Sequence, residues 1–483
     1  MFTLDEKNEH KWKREPQQQR REQKHSEVYD ELRLPREHTR DEYKRAVRHP
    51  ISSGVRLNSE VTNFLHGKGS VQQVLSKVPL GTRQEPGQLA WILDRIRAGN
   101  KNELNGERQP AKPVIQQLLA RFVRCRTGVA PAHVAEALRC ARFFNIWDDS
   151  IVVPLATKFD QLARLATENQ ILTAIPVLAK LARHRGLMLK ELDNLSNVLE
   201  QKVSRGSFSS AFRPTKILHV LASESLIHPP IQNAIHALLF DGGRAFQTLE
   251  LKEQVATMRS YGILGMQFPK NEFDAVSHAL RKQAIYNSTA LSAFDIAAYV
   301  SAAALLDIGK SQLLPVLEKL FHEKLRACVP GLARSRLIYN AIPAFALLLN
   351  EPMRETSKIF TRPPQSYNGV QTSSNFETRI GKILQYDLKA PFKHSVSGGM
   401  FALDFVITQR SGRLVNLEVD GVNYHLLYDI SQQTLTTKYR GLDHLRDRAV
   451  RKLGYLVARV HSQDGKSNAD FRDVVRARIR DAS

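Results

Sequence analysis

The residues best suited to chemistry lie near the end of the chain, in FALDFVITQRSGRLVNLEVDGVNYH, residues 401–425. Asp404 interrupts an apolar run that opens Phe401-Ala402-Leu403, and Glu418 and Asp420 interrupt one that opens Leu414-Val415. Carboxylates are rare inside apolar strands unless they are paired or given a task. Side chains alternate along a strand, so Glu418 and Asp420 share a face. A hairpin turn in Gln409-Arg410-Ser411-Gly412, centred on Ser411, sets Asp404 opposite Glu418, with Cβ atoms ~5 Å apart. Carboxylates that close repel unless a cation, a proton or a basic side chain joins them. Oxygen-rich sites of this kind suit Mg²⁺ or Mn²⁺, which makes Asp404 and Glu418 the candidate metal ligands. The alternative is that both pair with Arg446 or another buried base, which leaves an ion pair and no ligand site.

A second set follows in YRGLDHLRDRAVRKLG, residues 439–454. Arg446, Arg448, Arg451 and Lys452 fall within two helical turns, with Lys438 and Arg440 just upstream. Cations gathered on one surface neutralise phosphates, and arginine adds two-pronged geometry. The competing reading is a solvated helix face neutralised by Asp443 and Asp447. Tyr424, Tyr428 and Tyr439 surround the cluster; they could stack on unpaired bases or fill a core. No phosphate loop, nucleophile elbow or His-Glu-x-x-His motif accompanies these residues. HSVSGGM at 394–400 reads as a loop feeding the Asp404 strand.

The elements that carry these residues resemble a RAP domain, the small C-terminal RNA-binding domain of many organellar proteins. RAP domains are themselves similar to restriction endonucleases and very-short-patch-repair nucleases. The matching features run in order: Glu377 in the helix NFETRIGKIL, the Asp404 strand, Leu-Glu-Val-Asp-Gly at 417–421, His425, the basic helix, and the strand YLVARV at 455–460. The resemblance spans residues 376–483. It implies that Glu377, Asp404, Glu418 and Asp420 are catalytic residues or their vestiges, and that Arg446 turns inward to the acidic sheet. It implies RNA contact by His425, Tyr424, Lys438, Arg440, Arg446, Arg448, Arg451 and Lys452. Nucleases of the wider fold carry Glu-x-Lys on the second strand, whereas this chain has Asp420 where that lysine would stand. Binding without turnover is therefore expected, with a Mg²⁺- or Mn²⁺-dependent endoribonuclease as the alternative.

The 483 residues exceed one core, and 42% hydrophobic content suffices for a globular protein. A formal charge of +22 points to nucleic acid as partner. No apolar run is long enough to span a membrane; the nearest, AFDIAAYVSAAALLDIG at 293–309, carries Asp295 and Asp307. Cys125, Cys140 and Cys328 have neither disulfide-framework nor metal-site spacing, which fits a reducing compartment.

Along the chain, residues 1–50 form a mixed-charge tail, either disordered or ordered by a partner. Residues 51–112 are transitional, with a helix at 87–99 and a linker at 101–113. Residues 113–350 are helical throughout, without strand-like alternation. Phe159, Leu199, Leu239, Leu280 and Phe321 close successive helices at spacings of 40, 40, 41 and 41 residues, and Ala141, Ala182, Ala222 and Ala304 mark partner helices. Recurrence near that period predicts an α-solenoid of helix pairs, similar to octotricopeptide-type repeats. Residues 351–375 form a linker into the RAP-like domain at 376–483.

The fold expected is thus mainly α: a solenoid followed by a small α/β, restriction-endonuclease-like domain. The function expected is that of an organellar RNA-binding protein acting in RNA processing or stability, or in rRNA organisation as a mitochondrial ribosome component or assembly factor. The mitochondrial matrix follows from the resemblance alone, since Asp5, Glu6 and Glu9 are unlike an import presequence.

Overall fold

The computed structural model describes residues 86–100, 108–186, 188–206, 208, 213–241, 245–308, 313–326, 336–349, 375–398, 401–421 and 425–482. The tail at 1–50, most of the linker at 351–375 and Tyr424 lie outside them. The protein is mainly α, with small mixed sheets in its C-terminal part.

The helices are α1 (Pro86–Asn100), α2 (Arg108–Arg124), α3 (Pro131–Phe143), α4 (Asp149–Gln161), α5 (Glu168–Arg185), α6 (Lys190–Ser204), α7 (Thr215–Glu224), α8 (Pro229–His236), α9 (Leu251–Leu264), α10 (Lys270–Tyr286), α11 (Ala293–Leu305), α12 (Leu314–Arg326) and α13 (Arg336–Leu349). They pack in two rows. The odd-numbered helices touch in sequence from α1 to α13; the even-numbered ones touch from α2 to α8 and again from α10 to α12. Phe159, Leu199, Leu239, Leu280 and Phe321 are buried on or just after even helices. Ala141, Ala182, Ala222 and Ala304 are buried on odd ones, where a methyl lets neighbouring backbones approach. Reciprocal capping boxes at Thr167 and Ser292 start α5 and α11.

Two boundaries differ from expectation. Helix α1 joins the same apolar core as the rest, and α2 begins at Arg108, inside the expected linker. Pro110 falls in the first turn of α2, where a backbone N–H has no intrahelical partner anyway.

The C-terminal part comprises α14 (Asn375–Lys382), β2 (Phe392–Gly398), β3 (Phe401–Thr408), β4 (Leu414–Asp420), β5 (Leu426–Asp429), β6 (Thr434–Tyr439), α15 (Gly441–Lys452), β7 (Tyr455–His461) and α16 (Asn468–Arg480). One sheet has the order β2-β3-β4-β7; its first three strands are antiparallel, and β7 runs parallel to β4 with α15 as the crossover. HSVSGGM is therefore mostly strand: β2 is an edge strand, which tolerates its serines and glycine. Phe405, Ile407, Val415, Leu417, Val419, Ala458 and Val460 face α14 and α16 in a separate small core.

A second sheet joins the two parts. The two-residue strand β1 (Leu226–Ile227), between α7 and α8, pairs in parallel with β5, which also pairs with β6. Two residues are too few to show alternation, so β1 is invisible to a periodicity search. Nearby, the Leu189 N–H donates to Gln433 Oε1 at 2.6 Å, and Gln433 Nε2 donates to the Leu189 carbonyl at 2.9 Å. Helix α15 lies across α9, α11 and α13. It approaches so closely that a Cβ on Gly441 would sit 2.2 Å from the Gly262 carbonyl oxygen. Gly262 follows Ala222 by 40 residues and fills the missing place in the row of small residues.

Candidate functional site

Between the α15-facing side of the four-stranded sheet and α15 lies a buried layer of charge. Alternation along β4 puts Asn416, Glu418 and Asp420 on that side, all at most 2% exposed. Phe405 pairs with Leu417, and the same register continued by one residue sets Asp404 opposite Glu418. Glu418 pairs with Arg459 of β7. From above, Asp443, Arg446 and Asp447 descend from one face of α15 at helical spacing.

Arg446 grips Glu418 with both terminal nitrogens, Nη2 reaching Oε1 at 2.9 Å. The Asn416 amide donates to the same Oε1 at 2.7 Å. Asp404 Oδ2 accepts from the Val419 N–H at 2.9 Å. Arg459 bridges Asp420, at 2.6 Å, and Asp447, whose Oδ2 lies 3.0 Å from its Nε. The ring of His425 spans two carboxylates, with Nδ1 3.0 Å from Asp443 and Nε2 3.3 Å from Asp420. Arg440 closes the chain on Asp443 at 2.9 Å.

The protonation states follow from this wiring. Burial, with the Glu418 charge adding to it, holds Asp404 well above the usual carboxylate range. Glu377, half-buried on α14, adds a smaller push in the same direction. Burial works against charge at Arg446 and Arg459 too, but Glu418 and Asp404 at the first, and Asp420 and Asp447 at the second, outweigh it and keep both firmly protonated. At Asp443 the opposing burial is overcome by Arg440 and His425, which hold the carboxyl well below its usual range.

This donor set does not fit a divalent cation. Both oxygens of Glu418 are engaged by guanidinium and amide donors, and Asp404 Oδ2 is engaged by the Val419 N–H. Asp420 faces Arg459 and His425. Among the described residues, no group of three or more His, Cys, Asp or Glu side chains is placed to hold a metal ion.

Beside the layer, at the carboxyl ends of β4 and β7, lies a half-buried aromatic group. The Tyr439 hydroxyl meets His461 Nε2, and the Arg459 guanidinium stands 4.9 Å from the Tyr439 ring centre. Burial, with Asp420 adding to it, raises the Tyr439 pKa, and burial lowers that of His461. Tyr428 lies under Arg183, whose carbon is 4.6 Å from its ring centre; burial pushes the phenol up to about 12.

The remaining cations of the basic helix divide. Arg448 donates to the Ala304 carbonyl at 2.8 Å and to Asp307 at 2.7 Å. Lys452 donates to the Ala346 carbonyl at 2.7 Å. Both therefore cap helices of the helical part. Arg451 and Lys438 are exposed. Asp443 and Asp447 face inward, not toward solvent.

Arg459 and Asn416 were not among the residues singled out from sequence. The rule that found the carboxylates, a charge inside an apolar strand, applies equally to Arg459 in YLVARV. No family model and no curated protein matches this chain.

Proposed function

We propose that the protein is an RNA-binding protein of helical-repeat and RAP-like type, acting without turnover. The observation that carries this reading is the two-pronged grip of Arg446 on Glu418. It occupies, with protein groups, the carboxylate that hydrolysis would require for a metal. The strand order β2-β3-β4-β7, with a helix crossing from β4 to its parallel neighbour, supports the restriction-endonuclease-like reading. The two rows of helices support the solenoid reading. The +22 charge supports a polyanionic partner. The resemblance assigns the mitochondrial matrix and a role in RNA processing or rRNA organisation, as a ribosome component or assembly factor.

The test uses the purified full chain with single-stranded RNA. We expect binding that weakens steeply with salt, and no cleavage in Mg²⁺ or Mn²⁺. Metal-dependent cleavage abolished by Asp404→Asn would establish the endoribonuclease instead. Absence of binding at low salt would overturn the reading altogether. In cells, crosslinking followed by sequencing of the bound RNA identifies the target.

A further inference from the structure

Resting on the RNA-binding reading, the surface that meets phosphate can be located. Arg440, Arg446, Arg448 and Lys452 are engaged by carboxylates or helix-end carbonyls, so most of the basic helix is turned into the protein. The opposite end of the four-stranded sheet, where β3 turns into β4, has a different character. There Lys389, Lys393, Arg410 and Arg413 are all exposed, and none has a carboxylate partner among the described residues.

The backbone gathers these four side chains. Phe392 of β2 pairs with Ile407 of β3, and the Thr408 N–H donates to the Pro391 carbonyl at 3.4 Å, so the segment entering β2 runs beside the segment leaving β3. Lys389, two residues before Pro391, and Arg410, two residues after Thr408, therefore lie at one corner of the sheet. Arg410 and Arg413 sit on a single tight turn, closed by Gln409 N–H to the Arg413 carbonyl at 2.9 Å. Lys393 follows at the start of β2. The turn is also fixed from the side: Gln409 Nε2 donates to the Ile479 carbonyl at 2.6 Å, which brings up the end of α16. Among the described residues, Asp481 is paired with Arg480 at 2.7 Å, and Asp387 is exposed two residues before Lys389.

One detail favours a nucleic acid over simple solvation. Three residues before Lys389, whose φ of +47° ends the π-helical turn Ile383–Asp387, Tyr386 exposes 65% of its surface, although large apolar rings are normally covered. Exposed aromatic rings beside unpaired cations are the arrangement on which single-stranded bases stack.

We propose that this corner binds single-stranded RNA, with phosphates on Lys389, Lys393, Arg410 and Arg413 and a base on Tyr386. For single strands, log affinity changes with log salt by about 0.7 per phosphate neutralised, so four contacts give a slope near 3.

The experiment measures fluorescence anisotropy of a labelled oligouridine with the full chain, from low to moderate salt. The variant Lys389→Gln/Arg410→Gln/Arg413→Gln is compared with a charge-matched control on α10, Lys270→Gln/Arg281→Gln/Lys282→Gln. We expect the first to weaken binding by about tenfold or more and to reduce the salt slope by about 2, and the control to change little. Tyr386→Ala should weaken binding by roughly tenfold, as for one stacked base, without changing the slope. Equal loss in variant and control overturns this site while leaving the RNA reading intact. Wild-type protein that binds vesicles of anionic lipid but not RNA overturns both, and so does protein that binds neither.

Discussion

Replacing Arg446 by methionine tests whether the acidic layer is held as an ion pair. The substitution keeps an unbranched apolar stem and removes the guanidinium and its charge. Glu418, only 2% exposed, is left with the Asn416 amide as its remaining partner. Breaking a buried pair from one side costs about 3–5 kcal/mol, because the other charge stays buried. Glu418→Gln should cost less, roughly 1–3 kcal/mol, because the quarter-exposed Arg446 side chain can turn its head toward water. Removing both charges, in Glu418→Gln/Arg446→Met, should return stability to within about 1–2 kcal/mol of the original protein. Helical and C-terminal parts need not unfold together, so a global melting curve is a poor readout. Hydrogen exchange of the β3 and β4 amides, including the Val419 N–H that Asp404 accepts, reports the local opening directly. At about 1.4 kcal/mol per tenfold change, Arg446→Met should speed exchange by roughly 10²- to 10³-fold, with most of that loss reversed in the double variant. Exchange unchanged in Arg446→Met, or equally fast in the single and double variants, would refute the ion-pair account.

Two further outcomes follow from the same geometry. Because Asp404 is raised, the folded chain keeps a proton that the unfolded chain releases near pH 4, so this group makes stability fall as pH rises above that point, by about 1.4 kcal/mol per unit up to the folded pKa. Asp404→Asn removes that slope; protection of the β3 and β4 amides against hydrogen exchange should match the parent near pH 4 and exceed it at pH 8, and lower protection at pH 8 contradicts the assignment. Gly441→Ala places a methyl carbon 2.2 Å from the Gly262 carbonyl, so α15 must lift from α9. Limited proteolysis should then separate the helical and C-terminal parts faster than in the parent, and an unchanged digestion pattern would show that the contact can relax.

The face shared by Asp404, Glu418 and Asp420 was legible because strand alternation and a short turn leave one register that keeps the apolar residues together. What the carboxylates do was not legible, because the sequence offers both a metal site and an Arg446 pair, and only packing decides between them. The orientation of α15 was hidden for a related reason. Its acidic and basic residues occupy all sides, and the helix is covered by the sheet below and by α9, α11 and α13 above. Arg448 and Lys452 therefore look like solvent-facing cations until the carbonyls of Ala304 and Ala346 come into view. The period of the helical rows was readable from buried Phe, Leu and Ala positions. Gly262 escaped that reading because the row is marked elsewhere by alanine, whereas here a Cβ would sit 2.5 Å from the Leu305 Cβ of α11, a contact remote in sequence. Tyr386 and the Lys389–Arg413 corner escaped because nothing in their local pattern sets them apart from ordinary surface.

The pairing of β1 with β5 has a consequence for how the chain is made. Leu226 meets Tyr428, and Leu189 meets Gln433 at a separation of 244 residues. During synthesis at about 5–20 residues per second, the edge of β1 emerges roughly 10–40 s before its partner. During that interval the nascent chain carries an uncapped strand and, once Leu349 has emerged, the uncovered apolar ridge of α9, α11 and α13, a surface open to chaperones or to a second copy of itself. Completion of the last strands closes the edge and buries the ridge. Emergence of β5, β6 and α15 is then the event that turns an adhesive intermediate into a closed fold.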